Sequence, residues 1–158
     1  MSSATGPRIF LVVVDESPEM PVALLYASRR ARRTGGRVAM LRVVPRDESH
    51  GLASIAAMIR EEAREEAEQL LQRLAPAVIA ESGGLPIFYI REGTASEMVI
   101  DLVNGDPTIS ILVLAASSGP EGPGPLVSYL ASKAAARLRI PVTIVPGGLT
   151  REQILAVT

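Results

Sequence analysis

The sequence contains no cysteine and no tryptophan. The missing cysteine removes disulfides, thiolate metal sites and thiol nucleophiles together, and it suits a reducing compartment. His50 is the single histidine. With no second histidine and no cysteine beside it, a protein-held metal or a His-based triad is not expected. Aromatic residues make up 3%, too few for a platform on which single-stranded nucleic acid stacks. The formal net charge is −1, so no global field draws the chain to nucleic acid or to anionic membrane. Lys133 is the only lysine; the other basic residues are arginine. No apolar run is long enough to span a bilayer, and the opening MSSATGPR lacks the apolar core of a secretory leader. The expectation is a soluble cytoplasmic protein with neither nucleic-acid nor membrane partner.

What is present is apolar and regularly punctuated. The chain has 158 residues and 47% of them are hydrophobic, enough for one domain with a sizeable core. Ile9 to Val14 (IFLVVV) is a short, β-branched run, as in a strand buried on both faces. Ser17 and Pro18 follow as a candidate N-cap and first helical residue, and Gly35-Gly36 stops that helix. Further strands are predicted at 37–44, 87–91, 109–114 and 141–145. Between them, helices are predicted over roughly 52–80, from the capping-box pair Thr94/Glu97 to about 103, and over 126–138. Pro76 is a candidate kink or break in the second helix. Strands alternating with helices imply right-handed crossovers and a mainly parallel sheet covered on both faces, an α/β fold. The organisation reads as one domain over residues 1–146 and a tail over 147–158 that packs on its own domain or on a partner. Ligands in such folds bind beyond the carboxyl ends of the strands, where the strand order reverses. Asp15 and the stretch beginning at Ala115 both lie at such ends.

That stretch, LAASSGPEGPGPLVSYLAS, hands the fourth strand to the last long helix. Glycine permits backbone angles that other residues resist and lets amides approach a ligand closely. A helix N-terminus adds unpaired N–H groups and partial positive charge. Gly119, Gly122 and Gly124, with Ser128 and Ser132 in the first turns beyond, could form a phosphate cradle. Neither a Walker-type Gly-Lys-Ser/Thr nor the dinucleotide GxGxxG after a first strand is present. From composition alone, a cradle and an ordinary Gly/Pro turn stay open.

Over residues 8–146 the chain resembles the universal stress protein family. IFLVVVDESPEMPVALLYASRRARRTGGRVAMLRVVP is similar to that family's first strand, Asp-x-Ser turn, helix and second strand. IREGTASEMVIDLV resembles its third strand and next helix, and ISILVLAASSG with AAARLRIPVTIVP its fourth strand, last helix and fifth strand. The resemblance implies a five-stranded parallel sheet of order 3-2-1-4-5, in a homodimer joined through the last strand. ATP-binding members carry Gly, two residues, Gly, nine residues, then Gly-Ser or Gly-Thr. Here Ala116, two residues and Gly119 are followed by eleven residues and Ala131-Ser132. Two family glycines are thus alanines and the loop is two residues longer. A methyl at Ala131 could crowd a phosphate, whereas Gly122 and Gly124 could rebuild the cradle in longer form.

The resemblance places Asp15 at the adenosine end, accepting from ribose or base. It places Val13 and Val43 along adenine, with Val43 offering backbone groups, and Ala116, Gly119, Ala131 and Ser132 along ribose and phosphates. Lys133, which has no family counterpart, stands where it could meet phosphate or project into solvent. The implied ligand is ATP, or AMP or ADP, with Mg²⁺ arriving on the phosphates. The implied role is a nucleotide-responsive module with an unidentified protein partner. The alternatives are a dimeric scaffold without nucleotide, and a slow ATPase or self-phosphorylating protein using Ser128 or Ser132, for which no general base is apparent near the loop. Asp15-Glu16 also has the look of a response-regulator acidic pair, but that reading needs an aspartate ending strand three, where Arg91-Glu92-Gly93 stands. The arginines at 29, 30, 32 and 33 and the acidic run Glu61 to Glu68 read as solvated helix faces, with Arg64 able to pair locally.

Overall fold

The structure, a computed structural model, describes residues 6–46 and 52–158; His50 lies outside them. Five parallel strands run β1 (Ile9–Val13), β2 (Arg37–Val44), β3 (Ile87–Glu92), β4 (Ile109–Ala116) and β5 (Val142–Pro146). They lie side by side in the order β3-β2-β1-β4-β5. The apolar runs are where they are because both faces of this sheet are covered. On one face Leu11, Val13, Leu41, Leu112 and Leu114 pack with α3 (Ala95–Gly105) and the segment 125–140. On the other, Phe10, Val12, Met40 and Val113 pack with α1 (Met20–Thr34) and α2 (Ala53–Ser82). One register shift interrupts the β1–β4 ladder between Ile9 and Phe10, and there the Ser110 hydroxyl accepts the Ile9 N–H at 3.1 Å.

Helix boundaries follow local chemistry. Gly35 ends α1 at φ 68°, a left-handed angle that glycine adopts without a Cβ penalty. Pro76 sits inside α2, which runs on through it; the core contacts of Ala67, Leu71 and Val78 hold both sides. Arg64 faces Glu68 at 4.0 Å, one turn on. Of the α1 arginines, Arg29 pairs with Glu81 at 3.4 Å and Arg33 donates to the Thr158 carbonyl at 3.1 Å, so they hold neighbours as well as water.

Three local expectations are corrected. α1 begins at Met20 with Glu19 as N-cap, not at Ser17-Pro18. Ser17 has a closer partner: its N–H and hydroxyl both donate to Asp15 Oδ1, at 3.0 and 2.6 Å. An Asx turn wins over a cap. Thr94 is the N-cap of α3, but its side chain caps nothing and no capping box forms. Glu97 instead takes the Arg137 guanidinium at 3.3 Å. The helix expected over 126–138 is broken into one α turn, α4 (Pro125–Ser128), a π turn (Tyr129–Lys133) and a 3₁₀ turn (Ala135–Arg137).

The tail is ordered by a cap that sequence reading passed over. Thr150 and Gln153 form a reciprocal capping box at the start of α5 (Arg151–Val157). Ile154 is buried, and Arg151 reaches Glu81 on α2 at 2.7 Å. At the far edge, the Tyr89 hydroxyl donates to Asp106 Oδ2 at 2.6 Å. Burial, then that hydrogen bond, pushes Tyr89 up to about 12. The Thr108 hydroxyl, then Tyr89, holds the Asp106 carboxyl below its ordinary range.

Candidate functional site

The strand order reverses between β1 and β4, parallel neighbours from which the chain winds outward in opposite directions, to β2 and to β5. Val13 and Asp15 lie at the end of β1, and Ala115 and Ala116 end β4. The Asx turn fixes Asp15 through Oδ1, and among the described residues no hydrogen bond reaches Oδ2. Val43 lies one strand over. The Leu41 carbonyl accepts the Val14 N–H at 2.7 Å, so Leu41 turns its backbone groups toward β1. Two residues on, Val43 turns its N–H and C=O to the same side, beyond the point where β1 has ended. That edge is backbone without a strand to pair it.

Asp15 stands between two openings of very different size. Toward β4 is a slot of about 30 Å³ lined by Val13, Asp15, Met20, Ala115, Leu126 and Val127. That is room for about one water molecule. Toward α2 is a cleft of about 630 Å³, lined among others by Asp15, Glu16, Arg42, Val44, Leu70 and Arg73, within the range of small-molecule sites. Arg42 crosses this cleft, donating to the Val14 carbonyl at 3.2 Å and facing Glu16 at 3.7 Å.

The glycine-rich stretch is a closed turn. The Ser117 N–H donates to Pro123 O at 3.1 Å, Gly119 N–H to the Ser117 hydroxyl at 3.2 Å, and Ser128 N–H to Gly124 O at 3.0 Å. Gly122 and Gly124 sit at φ 94° and 102°, which only glycine adopts easily. Gly119 has no such angle, and a Cβ there would meet only the Ser117 hydroxyl at 3.5 Å. The loop surface is therefore open enough for phosphate to approach, although several of its amides already have acceptors.

Of the sequence-predicted site residues, the slot brings Val13 and Asp15 together. Ala116 is at the strand end, where its carbonyl takes the Gly147 N–H at 2.8 Å. Ala131, Ser132 and Lys133 are exposed on the π turn, with the Ser132 hydroxyl donating to the Ser128 carbonyl. They do not line the slot. Sequence reading missed the residues that do close it, Met20, Leu126 and Val127, and it missed Arg42. A signal for Arg42 was present: it is the lone charge between Leu41 and Val43 in an otherwise apolar strand interior.

The family model described as the universal stress protein family matches residues 7–146. The chain belongs to this family. Among solved structures, universal stress protein UspA from Lactobacillus plantarum is 20% identical with a TM-score of 0.71, covering 87% of this chain and 97% of its own. A universal stress protein in complex with cAMP is 12% identical, TM-score 0.61, covering 89% and 98%. One from Archaeoglobus fulgidus in complex with dAMP is 15% identical, TM-score 0.59, covering 89% and 98%. At these identities the likeness is one of fold. No curated protein matches the chain by sequence. Among the described residues, no helix of this universal stress protein is long and apolar enough to cross a membrane.

Proposed function

We propose that this protein is a regulatory module that binds an adenine nucleotide, ATP first among them, at the β1/β4 switch point and acts as a homodimer through β5. The observation that carries the reading is Asp15: a carboxylate locked by Ser17 at the carboxyl end of β1, beside the unpaired backbone edge of Val43. Ribose hydroxyls would donate to Asp15, and an adenine edge would meet Val43. Family relatives crystallised with cAMP and dAMP support the ligand class. Phosphates would lie along Gly119, Gly122 and Gly124, with Ala116, Ala131, Ser132 and Lys133 at the rim and Mg²⁺ carried by the phosphates. Entry requires Leu126 and Val127 to move out of the slot, so binding energy is partly consumed in opening the 117–128 segment. A π turn next to the loop supports such a movable element, since π turns gather at functional sites. For the dimer, β5 is an edge strand on which Ile144 is 40% exposed, an apolar edge suited to a second copy.

A second reading, a dimeric scaffold that no longer takes nucleotide, is favoured by the roughly 30 Å³ of the slot. Calorimetric titration with ATP and Mg²⁺ separates the two. Saturable heat that disappears in Gly119→Glu, whose carboxylate would repel phosphate, supports nucleotide binding. Absence of heat in the parent protein, with its melting temperature unmoved by ATP, supports the scaffold. Equal affinity in Gly119→Glu would remove the loop from the site.

A further inference from the structure

The segment 125–137, whose first residues close the slot, is tied to α3 in two places by different chemistry. At its far end the chain itself is held. The Asn104 side-chain amide donates to the Arg137 carbonyl at 2.8 Å, and its Oδ1 accepts the Arg139 N–H at 3.2 Å. The Arg139 guanidinium donates to the carbonyls of Val103, Asp106 and Ile109, each at 2.9 Å. Hydrogen bonds from a charged donor to carbonyls at the end of α3 and the start of β4 fix residues 137–139 firmly. Nearer the slot, side chains make a second tie. Arg137 reaches back to both Glu97 oxygens, Nη2 to Oε2 at 3.3 Å and Nη1 to Oε1 at 3.4 Å. The Tyr129 hydroxyl donates to Glu97 Oε1 at 3.4 Å and accepts from Arg137 Nη1 at 3.1 Å. Three side chains, from the first turn of α3, the π turn and the 3₁₀ turn, thus close one ring. Arg137 and Glu97 are 49% and 45% exposed, so this tie is weak and screened beside the buried Leu130 and Ala134.

We propose that Glu97, Tyr129 and Arg137 form a latch that holds the slot shut and so sets how tightly the site takes its nucleotide. The latch rests on the β1/β4 switch point being an adenine-nucleotide site. Its sign follows from the geometry. The ring is intact while Leu126 and Val127 line a slot with room for about one water. The Tyr129 N–H is bonded to the Pro125 and Leu126 carbonyls, so this turn moves as a unit. A ligand that displaces Leu126 and Val127 therefore carries Tyr129 away from Glu97 and breaks the ring. Apparent affinity is then reduced by the fraction of molecules that are open. Weakening the ring raises that fraction and tightens binding. The three side chains are positioning residues, since none of them lines the slot.

The test titrates the full chain and two variants with ATP and Mg²⁺. Tyr129→Phe removes one hydroxyl and no charge, and Arg137→Gln removes a cation. By electrostatics alone, the first should leave ATP affinity as it is and the second should lower it. The latch predicts another sign: each variant should bind ATP about two- to five-fold more tightly, with a melting temperature equal to or slightly below the parent's. A merely structural role would lower stability without tightening binding. A second readout needs no nucleotide. Amide exchange at Ser128 and Ala134, whose N–H groups are bonded within the segment or to its Gly124 entry, should quicken in both variants by a similar factor, while exchange at Leu11 in β1 stays unchanged. Looser binding in Arg137→Gln would make Arg137 a cation that faces phosphate and would overturn the latch. A parent that takes no ATP would overturn the nucleotide site and the coupling built on it. A parent that binds ATP, with both variants equal to it in affinity and exchange, would overturn the latch alone.

Discussion

Two crossovers leave the carboxyl edge of the sheet at the switch point, and they are built in opposite ways. The β1-to-α1 connection is short, and one carboxylate organises it: Asp15 holds Ser17 by two hydrogen bonds, and an unbroken helix of fifteen residues follows. The β4 connection is long and glycine-rich, held by its own backbone bonds, and it leads into a helix that changes type twice within thirteen residues. One side is thus held by an Asx turn, and under the proposed function the other has to rearrange. In a binding protein that division places recognition on the fixed side and response on the movable one.

The comparison yields predictions of decreasing size. Leu130 is fully buried in the π turn. Leu130→Ala should lower unfolding stability by about 2–4 kcal/mol in a denaturant titration. A loss below about 1 kcal/mol would mean that packing does not hold the broken helix. Asp15→Ala should remove about 1–2 kcal/mol by freeing the turn; a neutral result would make the fixed side no more organised than the other. Gly124→Ala forces a methyl into φ 102° in open space and should cost about 1 kcal/mol, while Gly119→Ala, with no such angle, should stay within about 0.5 kcal/mol. Equal effects of the two would contradict the turn geometry.

Tyr89→Phe lies away from both crossovers and serves as the control, at about 0.5–1 kcal/mol near neutral pH. Its pH dependence has a defined sign. Folding raises Tyr89 from 10.0 to about 12, so its contribution is complete below pH 10 and is lost as pH rises through that interval. Asp106 is lowered from 3.8, so its contribution is present above that value and lost as pH falls below it. The variant should abolish the alkaline loss and shrink the acidic one, read as melting temperature against pH.

How legible each region was in the sequence follows the same division. The strands could be read because IFLVVV, RVAMLRVV and ISILVL are apolar runs of the kind a doubly covered sheet requires; their order was implied only by the family resemblance. Gly35 announced a helix end because left-handed residues are nearly always glycine. Segment 125–137 misled because its buried Val127, Leu130 and Ala134 keep helical spacings while the backbone changes its hydrogen-bond period: Ala134 N–H donates to Tyr129 O, five residues back. Side-chain periodicity cannot report such a change. The closing of the slot by Met20, Leu126 and Val127 was likewise invisible, because it depends on where a broken helix lands. The Thr94/Glu97 and Thr150/Gln153 pairs share one spacing, and only the second forms a capping box, because Arg137 and Tyr129 compete for Glu97.

The measurement that bears most directly on the account is amide hydrogen exchange with and without saturating ATP and Mg²⁺, compared between the two crossovers. The account predicts that exchange changes over residues 117–128, where internal hydrogen bonds give way to ligand, and that α1 beyond the Asp15 turn stays as it was. Identical exchange over 117–128 in both conditions would contradict it.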